Sequence, residues 1–467
     1  MNYSLKLILS GVIQFTIAAV FASLIMACAG RPVPVEKTIR SDFSAVASRY
    51  RPGDAKPDLP VLSTRSGIDD YLRFAILNNP AVEAAYYEWA ASVEQISVAR
   101  SLPDPRLTFQ ADIADMISSL MAGLMLDLPG PGKLRAAGEA AAAESRVRYA
   151  AFEAEVLRIA FAVKSAYYRL AFLEENIHVQ RDTLKLLDDL EQLARQQNAA
   201  GRAMLQDVLR AQIEQEQLRT RIENLEDSRG MLLAEFKAAL GLGPGDSIPP
   251  TPSVFTLSGE TPDSEGILET ALRQNPAIQQ MAADIKRAQA MLDLARKAGV
   301  PDFSIGLEVD VKPDPVMWRP SAGISLPVWR DRIAAEIAAA QAGKRAAEAR
   351  LDGEQVRIAA ELAAMLYMHR ESVRNADLLE NRLIPKGRQS LEAARAGYAS
   401  GRSAFFDVIE SHRQLLMFDT ALIEARTQRE LSLANLSLLI AGTPPPGDPL
   451  QHSEENSDHQ NTKEDSR

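Results

Sequence analysis

The sequence predicts a mainly helical protein with a small amount of membrane β-structure, built from one repeat that occurs twice. Hydrophobic residues make up 46% of the 467 residues but aromatic residues only 6%, and long stretches rich in Ala, Leu, Glu, Gln and Arg lack Gly and Pro. That composition is typical of long helices. Short segments alternate apolar and polar residues with the period of a β-strand. Similar short sequences recur, in the same order, about 200 residues apart.

The N-terminus is predicted to be a signal peptide, residues 1–27. Lys6 precedes an apolar run that ends at Cys28, the single cysteine of the chain, and this order is typical of secretion signals. The segment before Cys28 resembles the bacterial lipobox, with Ile25 at its branched position, and this resemblance implies lipidation of Cys28 and attachment to outer membrane lipid. An uncleaved membrane helix is the alternative, because about 20 apolar residues are enough to span a bilayer. We expect residues 28–65 to form a lipid-anchored extension.

Four landmarks define the duplication. In order along the chain, "NNPAVEAA" at Asn78 corresponds to "QNPAIQQM" at Gln274, "LPDPRLTF" at Leu102 to "VPDFSIGL" at Val300, "LPGPGKLRAA" at Leu128 to "LPVWRDRIAA" at Leu326, and "AGRAMLQDV" at Ala200 to "SGRSAFFDV" at Ser400. The landmarks predict a first repeat at 66–241, a Pro-rich connector at 242–263 and a second repeat at 264–441. The remaining residues, 442–467, have almost no apolar content and are predicted to be disordered.

Each repeat is predicted to contain a helix, a strand pair, a long helix, a tip and a return helix. The first helix runs from about Ile68 to Arg100 and ends before Pro103, because proline lacks an N–H and disfavours the helical conformation in the residue before it. The long helices are predicted from about 134 to 199 and from about 333 to 400, each about 100 Å long at 1.5 Å per residue. The return helices are predicted from about 204 to 240 and from about 405 to 440.

The strand segments have one apolar and one polar face. In the first repeat Leu107, Phe109, Ala111 and Ile113 alternate with Thr108, Gln110 and Asp112, and Leu124, Leu126 and Leu128 alternate with Met125 and Asp127; in the second, Phe303, Ile305, Leu307, Val309 and Val311 alternate with Ser304, Gly306, Glu308 and Asp310. A half-buried strand of a soluble protein alternates in the same way. Trp318 and Trp329, which flank the return strand, and a strand length of about nine residues favour transmembrane strands.

The first long helix carries an apolar seam. Its residues are spaced by three and four: Phe152, Val156, Ile159, Val163, Ala166, Leu170, Leu173 and Ile177, with Leu184 and Leu187 continuing the register. Heptad spacing predicts partner helices wound around this helix with a left-handed twist. The return helices are the nearest partners in sequence.

Two hairpins give four membrane strands per chain, which is too few for a closed barrel. Unpaired strand edges cannot face hydrocarbon, and bacterial barrels begin at about eight strands. We therefore expect two or three chains to share one barrel.

The chain resembles the TolC family of outer membrane efflux proteins, the exit ducts of tripartite export pumps. The resemblance extends from Ile68 to Gly442 and rests on the duplication, the Asn-Pro helix starts, the Leu-Pro strand ends and the two tips. It implies a homotrimer with a twelve-stranded barrel on an α-helical coiled-coil tunnel. The implied partners are a periplasmic adaptor and an inner-membrane pump. The segment that starts at Leu383, "LIPKGRQSLEAARAGYASGRSAFFDVIE", resembles the heavy-metal efflux branch.

The two tips share a Gly-Arg pair followed by Asp-Val. Turn chemistry predicts that Gly201 and Gly401 end their helices in the left-handed conformation, and that Asp207 and Asp407 place negative charge near the start of the next helix. The resemblance adds a function, because it implies that the tips, with Gly201, Arg202, Asp207 and Gly401, dock the adaptor.

The second tip has additional polar residues. In the family, a tyrosine before the glycine, a basic residue after it and two acids on the return helix surround the periplasmic entrance. Tyr398, Asp407 and Glu410 match by position, with Glu where Asp is common, while Arg402 is displaced by one residue. The resemblance thus implies that these four residues form a periplasmic gate.

Other functional classes are disfavoured. The net charge of −10 and the lack of a basic, aromatic-lined stripe argue against nucleic acid. "GPGK" at Gly130 lacks the first glycine and the Ser or Thr of a phosphate-binding loop, so we interpret it as a strand-to-helix turn. The five histidines are too far apart in sequence for a metal site, and we predict no catalytic residues, metal or cofactor.

Two alternatives to the exit duct remain at this stage. One is a lipid-anchored periplasmic coiled-coil adaptor or scaffold without a pore. The other is an enzyme built around the Pro-rich connector.

Overall fold

The computed structural model of the protein describes residues 33–113, 117–251, 266–310 and 316–440. The predicted signal peptide, Cys28, Val311, the predicted disordered tail and most of the Pro-rich connector lie outside the described residues. The chain divides into two compact units, each of which takes segments from both repeats. The first comprises Met1–Ser48, Tyr86–Ala151 and Gln279–Gly353, and the second Arg49–Ala85, Phe152–Ile278 and Glu354–Arg467.

The elements follow one order in both repeats, after an additional N-terminal helix. They are α1 Pro34–Tyr50, α2 Ile68–Asn78, α3 Pro80–Arg100, β1 Arg106–Ile113, β2 Ile117–Leu128, α4 Lys133–Ala199 and α5 Leu205–Ala239, then α6 Ile267–Gln274, α7 Pro276–Arg296, β3 Asp302–Asp310, β4 Met317–Ser325, α8 Arg330–Leu378, α9 Ile384–Ala399 and α10 Phe405–Ile440. The predicted order of helix, strand pair, long helix and return helix agrees with this structure.

The first Asn-Pro motif, Asn79-Pro80, breaks a helix that the sequence predicts to be continuous from Ile68 to Arg100. Asn79 adopts an extended backbone between α2 and α3, because a residue before proline disfavours the helical conformation. Its side-chain oxygen accepts a hydrogen bond from the Ala81 N–H at 2.9 Å, and its amide group donates to the Ala239 carbonyl at 3.1 Å. Asn79 therefore caps the start of α3 and the end of α5 together.

The second Asn-Pro motif repeats this double cap. Asn275 accepts a hydrogen bond from the Ala277 N–H at 2.8 Å and donates to the Leu439 carbonyl at 2.8 Å. Asn275 thus joins the start of α7 to the end of α10, as Asn79 joins α3 to α5. The two motifs hold each return helix to the beginning of its own repeat.

The second long helix is also interrupted, which corrects the prediction of one helix to about residue 400. A π turn, Leu379–Leu383, separates α8 from α9. Pro385 follows at the start of α9 and cannot donate a backbone hydrogen bond to the preceding turn. The first long helix, α4, has no such break.

The apolar seam predicted along α4 is buried. Phe152, Val156 and Val163 have no exposed surface, and the other seam residues through Leu187 are buried, apart from the partly buried Leu184. In the second unit Tyr71 packs its ring 6.1 Å from Tyr167 of α4. Burying each large apolar side chain contributes about 1.5 to 3 kcal/mol, so the seam is a main source of stability for the helical region.

The four strands form one antiparallel sheet in the order β1-β2-β3-β4, so the hairpins of the two repeats pair through β2 and β3. Residues opposite each other in antiparallel strands share a face. One face is formed by register rows such as Leu107, Leu124, Leu307 and Pro320, or Phe109, Ala122, Val309 and Trp318, and the other by rows such as Thr108, Gly123, Glu308 and Arg319. The predicted separation of apolar and polar faces is confirmed for the described strands.

A tight turn connects β2 to α4, as predicted for "LPGPGK". Gly132 has a φ of 82°, and a side chain on Gly130 would come within 2.2 Å of the Pro301 carbonyl oxygen. Asp302, at the start of β3, accepts hydrogen bonds from the Gly130 N–H and from the Lys133 ammonium group, both at 2.7 Å. The glycine-rich turn thus joins the bases of the two hairpins.

The N-terminal extension contains a helix that the sequence analysis does not predict. Helix α1 packs Phe43 against Trp89 of α3, with ring centroids 5.0 Å apart. Glu36 is buried and forms ion pairs with Arg40 at 3.0 Å and with Arg100 at 2.8 Å. A buried carboxylate is tolerated when such partners compensate its desolvation, and these contacts attach the extension to α3.

Candidate gate, docking tips and channel wall

Both tips close with the same hydrogen bond. The N–H of the arginine after the glycine, Arg202 in one tip and Arg402 in the other, donates at 2.8 Å to the carbonyl five residues earlier. This bond belongs to the Schellman motif, which requires a left-handed residue. Gly201 and Gly401 have φ values of 72° and 74°. The predicted left-handed turns are confirmed at both tips.

The space around both tip glycines is open. A side chain added at Gly201 or at Gly401 would meet no atom of the chain within 4 Å. Arg202 and Arg402 are exposed beside them. The chain itself therefore leaves both turns accessible, and the left-handed backbone is the reason for glycine.

Asp407 caps the second return helix. Its Oδ2 accepts a hydrogen bond from the Ala404 N–H at 3.1 Å, and its own N–H donates to the Ala404 carbonyl at 3.1 Å. These bonds satisfy a backbone donor that the helix leaves unpaired and place negative charge at the positive end of the helix dipole. The helix-start role that turn chemistry predicts for Asp407 is present in the fold.

Glu410 is exposed and lies three residues beyond Asp407, on the same side of α10. The Arg413 guanidinium lies 3.9 Å from its carboxylate. Arg402 donates instead from Nε to the Ser400 hydroxyl at 3.0 Å. Within one chain the basic group beside Glu410 is therefore Arg413, and not Arg402 of the predicted gate.

Tyr398 is buried at the end of α9, with 7% of its surface exposed. Its ring centroid lies 5.0 Å from that of Phe405. Burial, with the negative charge of Asp207 as a second cause, raises the pKa of Tyr398 to about 12. The structure thus brings Tyr398 of the second tip next to Asp207 of the first tip, two residues that the sequence analysis assigned to different roles.

The two helical pairs that carry the tips share one hydrophobic core. It contains buried residues of α4, α5, α9 and α10, including Leu190, Val208, Leu391, Phe405 and Val408. At its edge Arg413 of α10 donates from Nε to Glu214 of α5 at 3.1 Å. The tips therefore belong to one packed structure within the second unit.

His412 is a residue of this region that the sequence analysis did not single out. It is 3% exposed on α10, and burial lowers the pKa of its imidazole below the ordinary value. Its position four residues after Val408 and seven after Phe405 continues the buried stripe of α10. Helical spacing alone would have identified it as a core residue.

The polar face of the sheet pairs opposite charges across neighbouring strands. Arg106 of β1 lies 2.5 Å from Asp127 of β2, and Arg319 of β4 lies 3.4 Å from Asp310 of β3. Ser304 and Glu308 lie on the same face. The polar residues that alternate with the apolar ones along β3 thus share one surface of the sheet.

In residues 33–113, 117–251, 266–310 and 316–440 no three His, Cys, Asp or Glu side chains are arranged to hold a metal ion. Among the helices within these ranges, none combines the length and the apolar character that crossing a membrane requires.

Most of the chain matches one known protein family. The family model described as outer membrane efflux protein matches residues 72–242 and 267–442, which is most of the chain. The chain belongs to this family. An outer membrane efflux protein is a passive exit channel of the outer membrane that extends into the periplasm, and it is not an enzyme.

Individual relatives are distant. The cobalt-zinc-cadmium resistance protein CzcC of Cupriavidus metallidurans is 22% identical over 356 residues, which cover 74% of this chain and 82% of CzcC. The outer membrane protein VceC of Vibrio cholerae has a TM-score of 0.68 at 19% identity, covering 81% of this chain and 96% of VceC. CusC has a TM-score of 0.72 at 16% identity, covering 83% of this chain and 98% of CusC. At these identities the two structures establish the shared fold of this outer membrane efflux protein.

Proposed function

We propose that this outer membrane efflux protein is a homotrimer in which three four-stranded sheets close one twelve-stranded barrel above an α-helical tunnel. The observation that carries the proposal is a sheet with two unlike faces and two edge strands, β1 and β4. Its apolar face is exposed in the single chain, with 65% of Leu107, 70% of Phe109 and 55% of Trp318 accessible. Lipid contact on that face and pairing of β1 with β4 of another copy account for both features.

The mass of the complex tests the assembly. In mild detergent, native mass spectrometry is expected to give three chains, and reconstitution in planar bilayers is expected to give discrete conductance. A monomer would contradict the shared barrel. A trimer without conductance would instead favour the coiled-coil scaffold.

The proposed gate consists of Asp407 and Glu410, supported at the tip by Tyr398 and Arg402. In a trimer, three copies of the two acids bring six carboxylates around one axis. Their mutual repulsion favours binding of multivalent cations. We therefore expect multivalent cations to block the channel, and replacement of both acids by Ala to abolish the block while the trimer still forms.

A matched control distinguishes the gate from general surface charge. Glu223 is an exposed acid on α5, and Glu223→Ala should leave the cation block unchanged. If the channel with both Asp407→Ala and Glu410→Ala is blocked at the same cation concentration as the wild type, the two acids serve only to cap and charge the start of α10.

The partners proposed for the tips are a periplasmic adaptor and, through it, an inner-membrane pump. The exposed glycine turns support this, since Gly201, Arg202 and Gly401 are accessible at the ends of their helical pairs. Asp207 is half-buried beside Tyr398, so its proposed effect on docking is indirect: it fixes the conformation of the tip. Replacing Arg202 by Glu should weaken crosslinking to the adaptor without loss of conductance, and unchanged crosslinking would contradict the docking role.

The substrate class that we propose is divalent transition-metal ions. CzcC, a relative named for cobalt, zinc and cadmium resistance, supports this, as does the second tip, which resembles the heavy-metal branch. Introduced with its own adaptor and pump into a metal-sensitive strain, the protein should raise tolerance to these three ions. Export of organic compounds alone would exclude the metal assignment while leaving the channel function intact.

Membrane attachment through lipidated Cys28 is proposed from the sequence. Cys28→Ala should abolish incorporation of labelled palmitate and prevent cleavage of the precursor by the lipoprotein signal peptidase. Normal cleavage of that variant would favour an ordinary signal peptide.

A further inference from the structure

The two hairpins of the sheet share one pairing register. Leu107 of β1 lies opposite Leu124 of β2. The residues 198 positions later in the chain, Ile305 of β3 and Ala322 of β4, also lie opposite each other. The second hairpin therefore repeats the pairing of the first, residue for residue.

Strands β2 and β3 form the seam that joins the two hairpins. Leu124 lies opposite Leu307 there, and Gly123 lies opposite Glu308. Strand β2 thus has a neighbour on both edges, and most residues of 121–128 are buried or half-buried. Its counterpart in the second repeat, β4, has only β3 beside it in the described sheet, and all of its residues are exposed. The repeat therefore predicts one more strand at the β4 edge.

The strand that the repeat predicts there is β1 of a second copy. Strand β1 is the counterpart of β3, and its outer edge has no neighbour in the described sheet. The β1 strand of the same chain cannot serve, because four strands are too few to close into a barrel. Moving the β2–β3 register by 198 residues places Ala322 opposite Phe109 of the second copy, and Ser321 opposite its Gln110.

The two faces of the sheet agree with this register. Ala322 lies in the row of Ile305, on the apolar face, and Phe109 belongs to the same face. The pairs predicted between copies are Pro320–Ala111, Ser321–Gln110, Ala322–Phe109, Gly323–Thr108, Ile324–Leu107 and Ser325–Arg106. Apolar residues meet apolar residues in alternate pairs, and the pairs between them lie on the polar face. A slip of one residue would turn every apolar side chain of β1 onto the polar face.

The same register closes a barrel at an ordinary strand tilt. One row of the sheet runs from Leu107 through Leu124 to Leu307, two positions beyond Ile305, the counterpart of Leu107. Each repeat thus displaces the row by two residues, about 6.8 Å, over two strand spacings of about 4.8 Å. The resulting tilt is about 35°, within the range of about 35–45° found in outer-membrane barrels. A slip of two residues between copies would give about 20° or about 47°.

We propose that the β4 edge of one copy binds the β1 edge of the next in the register of the β2–β3 seam, with Ala322 opposite Phe109. This pairing rests on the proposed shared barrel, and it names the residues that meet between chains. Every strand of the assembly then has two neighbours. The backbone groups of both edges are hydrogen-bonded, as a hydrocarbon environment requires.

Disulfide crosslinking of the full-length protein under oxidising conditions tests the register. Opposite residues of antiparallel strands have Cα atoms about 4.5 or 5.5 Å apart, within the range of about 4.4–6.8 Å that a disulfide bridges. Ala322→Cys combined with Phe109→Cys should therefore give covalent trimers in denaturing gels, which a reductant returns to monomers. Ser321→Cys combined with Gln110→Cys should do the same. Each single variant should stay monomeric, which also shows that Cys28 takes no part.

Slipped pairs and an internal pair serve as matched controls. Residues displaced by two positions lie about 7–8 Å apart, too far for a disulfide. Ala322→Cys combined with Leu107→Cys, or with Ala111→Cys, should therefore stay monomeric. Leu124→Cys combined with Leu307→Cys is the same pairing at the internal seam, so it should link within one chain and also keep the mass of a monomer.

The outcomes separate the register from the proposed function. Covalent trimers from a slipped pair, in place of the two predicted pairs, would overturn the register while the trimer stands. Linkage of Ala322→Cys to Phe109→Cys within a single chain would overturn the pairing with a second copy. If the native mass of the wild type is that of three chains but no pair links between chains, the register is wrong and the trimer remains. A native mass of one chain would contradict the shared barrel itself. Ser321 and Gln110 are exposed, so their pair keeps the test valid if a cysteine at Phe109 impairs folding.

Discussion

Removal of the double cap at Asn79 should increase local opening of the first repeat at the start of α3 and the end of α5. Asn79→Ala deletes the acceptor for the Ala81 N–H and the donor to the Ala239 carbonyl, which lie 2.9 Å and 3.1 Å away. Loss of an N-cap costs about 1 kcal/mol, and a buried carbonyl left without its donor costs about 1 to 3 kcal/mol. The sum, about 2 to 4 kcal/mol, corresponds to an increase in local opening of about 30-fold to 1,000-fold.

Hydrogen exchange is the suitable assay, because the unfolding of an outer membrane protein does not give a well-defined equilibrium free energy. The amides at the end of α5 and the start of α3 should lose protection in Asn79→Ala. In Asn79→Ser the serine still caps α3, but its side chain is too short to reach the Ala239 carbonyl. Only the amides at the end of α5 should therefore lose protection in this variant. Asn375 is exposed on α8, and Asn375→Ala serves as the control. Wild-type protection at both helix ends in Asn79→Ala would refute the double cap.

Three further predictions follow from packing and charge. Leu307→Arg, on the apolar face of β3, should destabilise the folded protein in the membrane by about 2 to 4 kcal/mol, whereas Glu308→Arg should be tolerated. Equal assembly yields of the two variants would contradict a lipid-facing strand. Gly130→Ala should sharply reduce the yield of folded protein, because its new methyl group would overlap the Pro301 carbonyl; a normal yield would contradict that close approach. Burial lowers the pKa of the His412 imidazole, so the folded protein favours its neutral form. The fold is therefore most stable above the ordinary imidazole pKa, about 6.5, and loses stability as the pH falls from there towards the lowered pKa of His412. Amide exchange around His412, corrected for intrinsic rates, should therefore increase on acidification, and His412→Gln should remove this dependence; an unchanged pH dependence in the variant would contradict it.

Local patterns were sufficient for much of the fold. The heptad spacing from Phe152 to Leu187 predicted the buried stripe of α4, and the alternation around Leu307 predicted the two faces of the sheet. Gly201 and Gly401 were recognisable as left-handed helix ends. Each of these features depends on neighbours within a few residues, because helix and strand periodicity and the special conformation of glycine are local properties.

The tertiary structure decided the features that depend on distant residues. Asn79 could be read as a helix start, but its bond to Ala239 needs the return helix to arrive beside it. Tyr398 and Asp207 meet only because the two tips pack into one core, and the extension before α2 becomes a helix because Phe43 and Glu36 find partners on α3. No periodicity encodes such pairings, since their energy comes from burial and hydrogen bonding between segments that only the fold brings together.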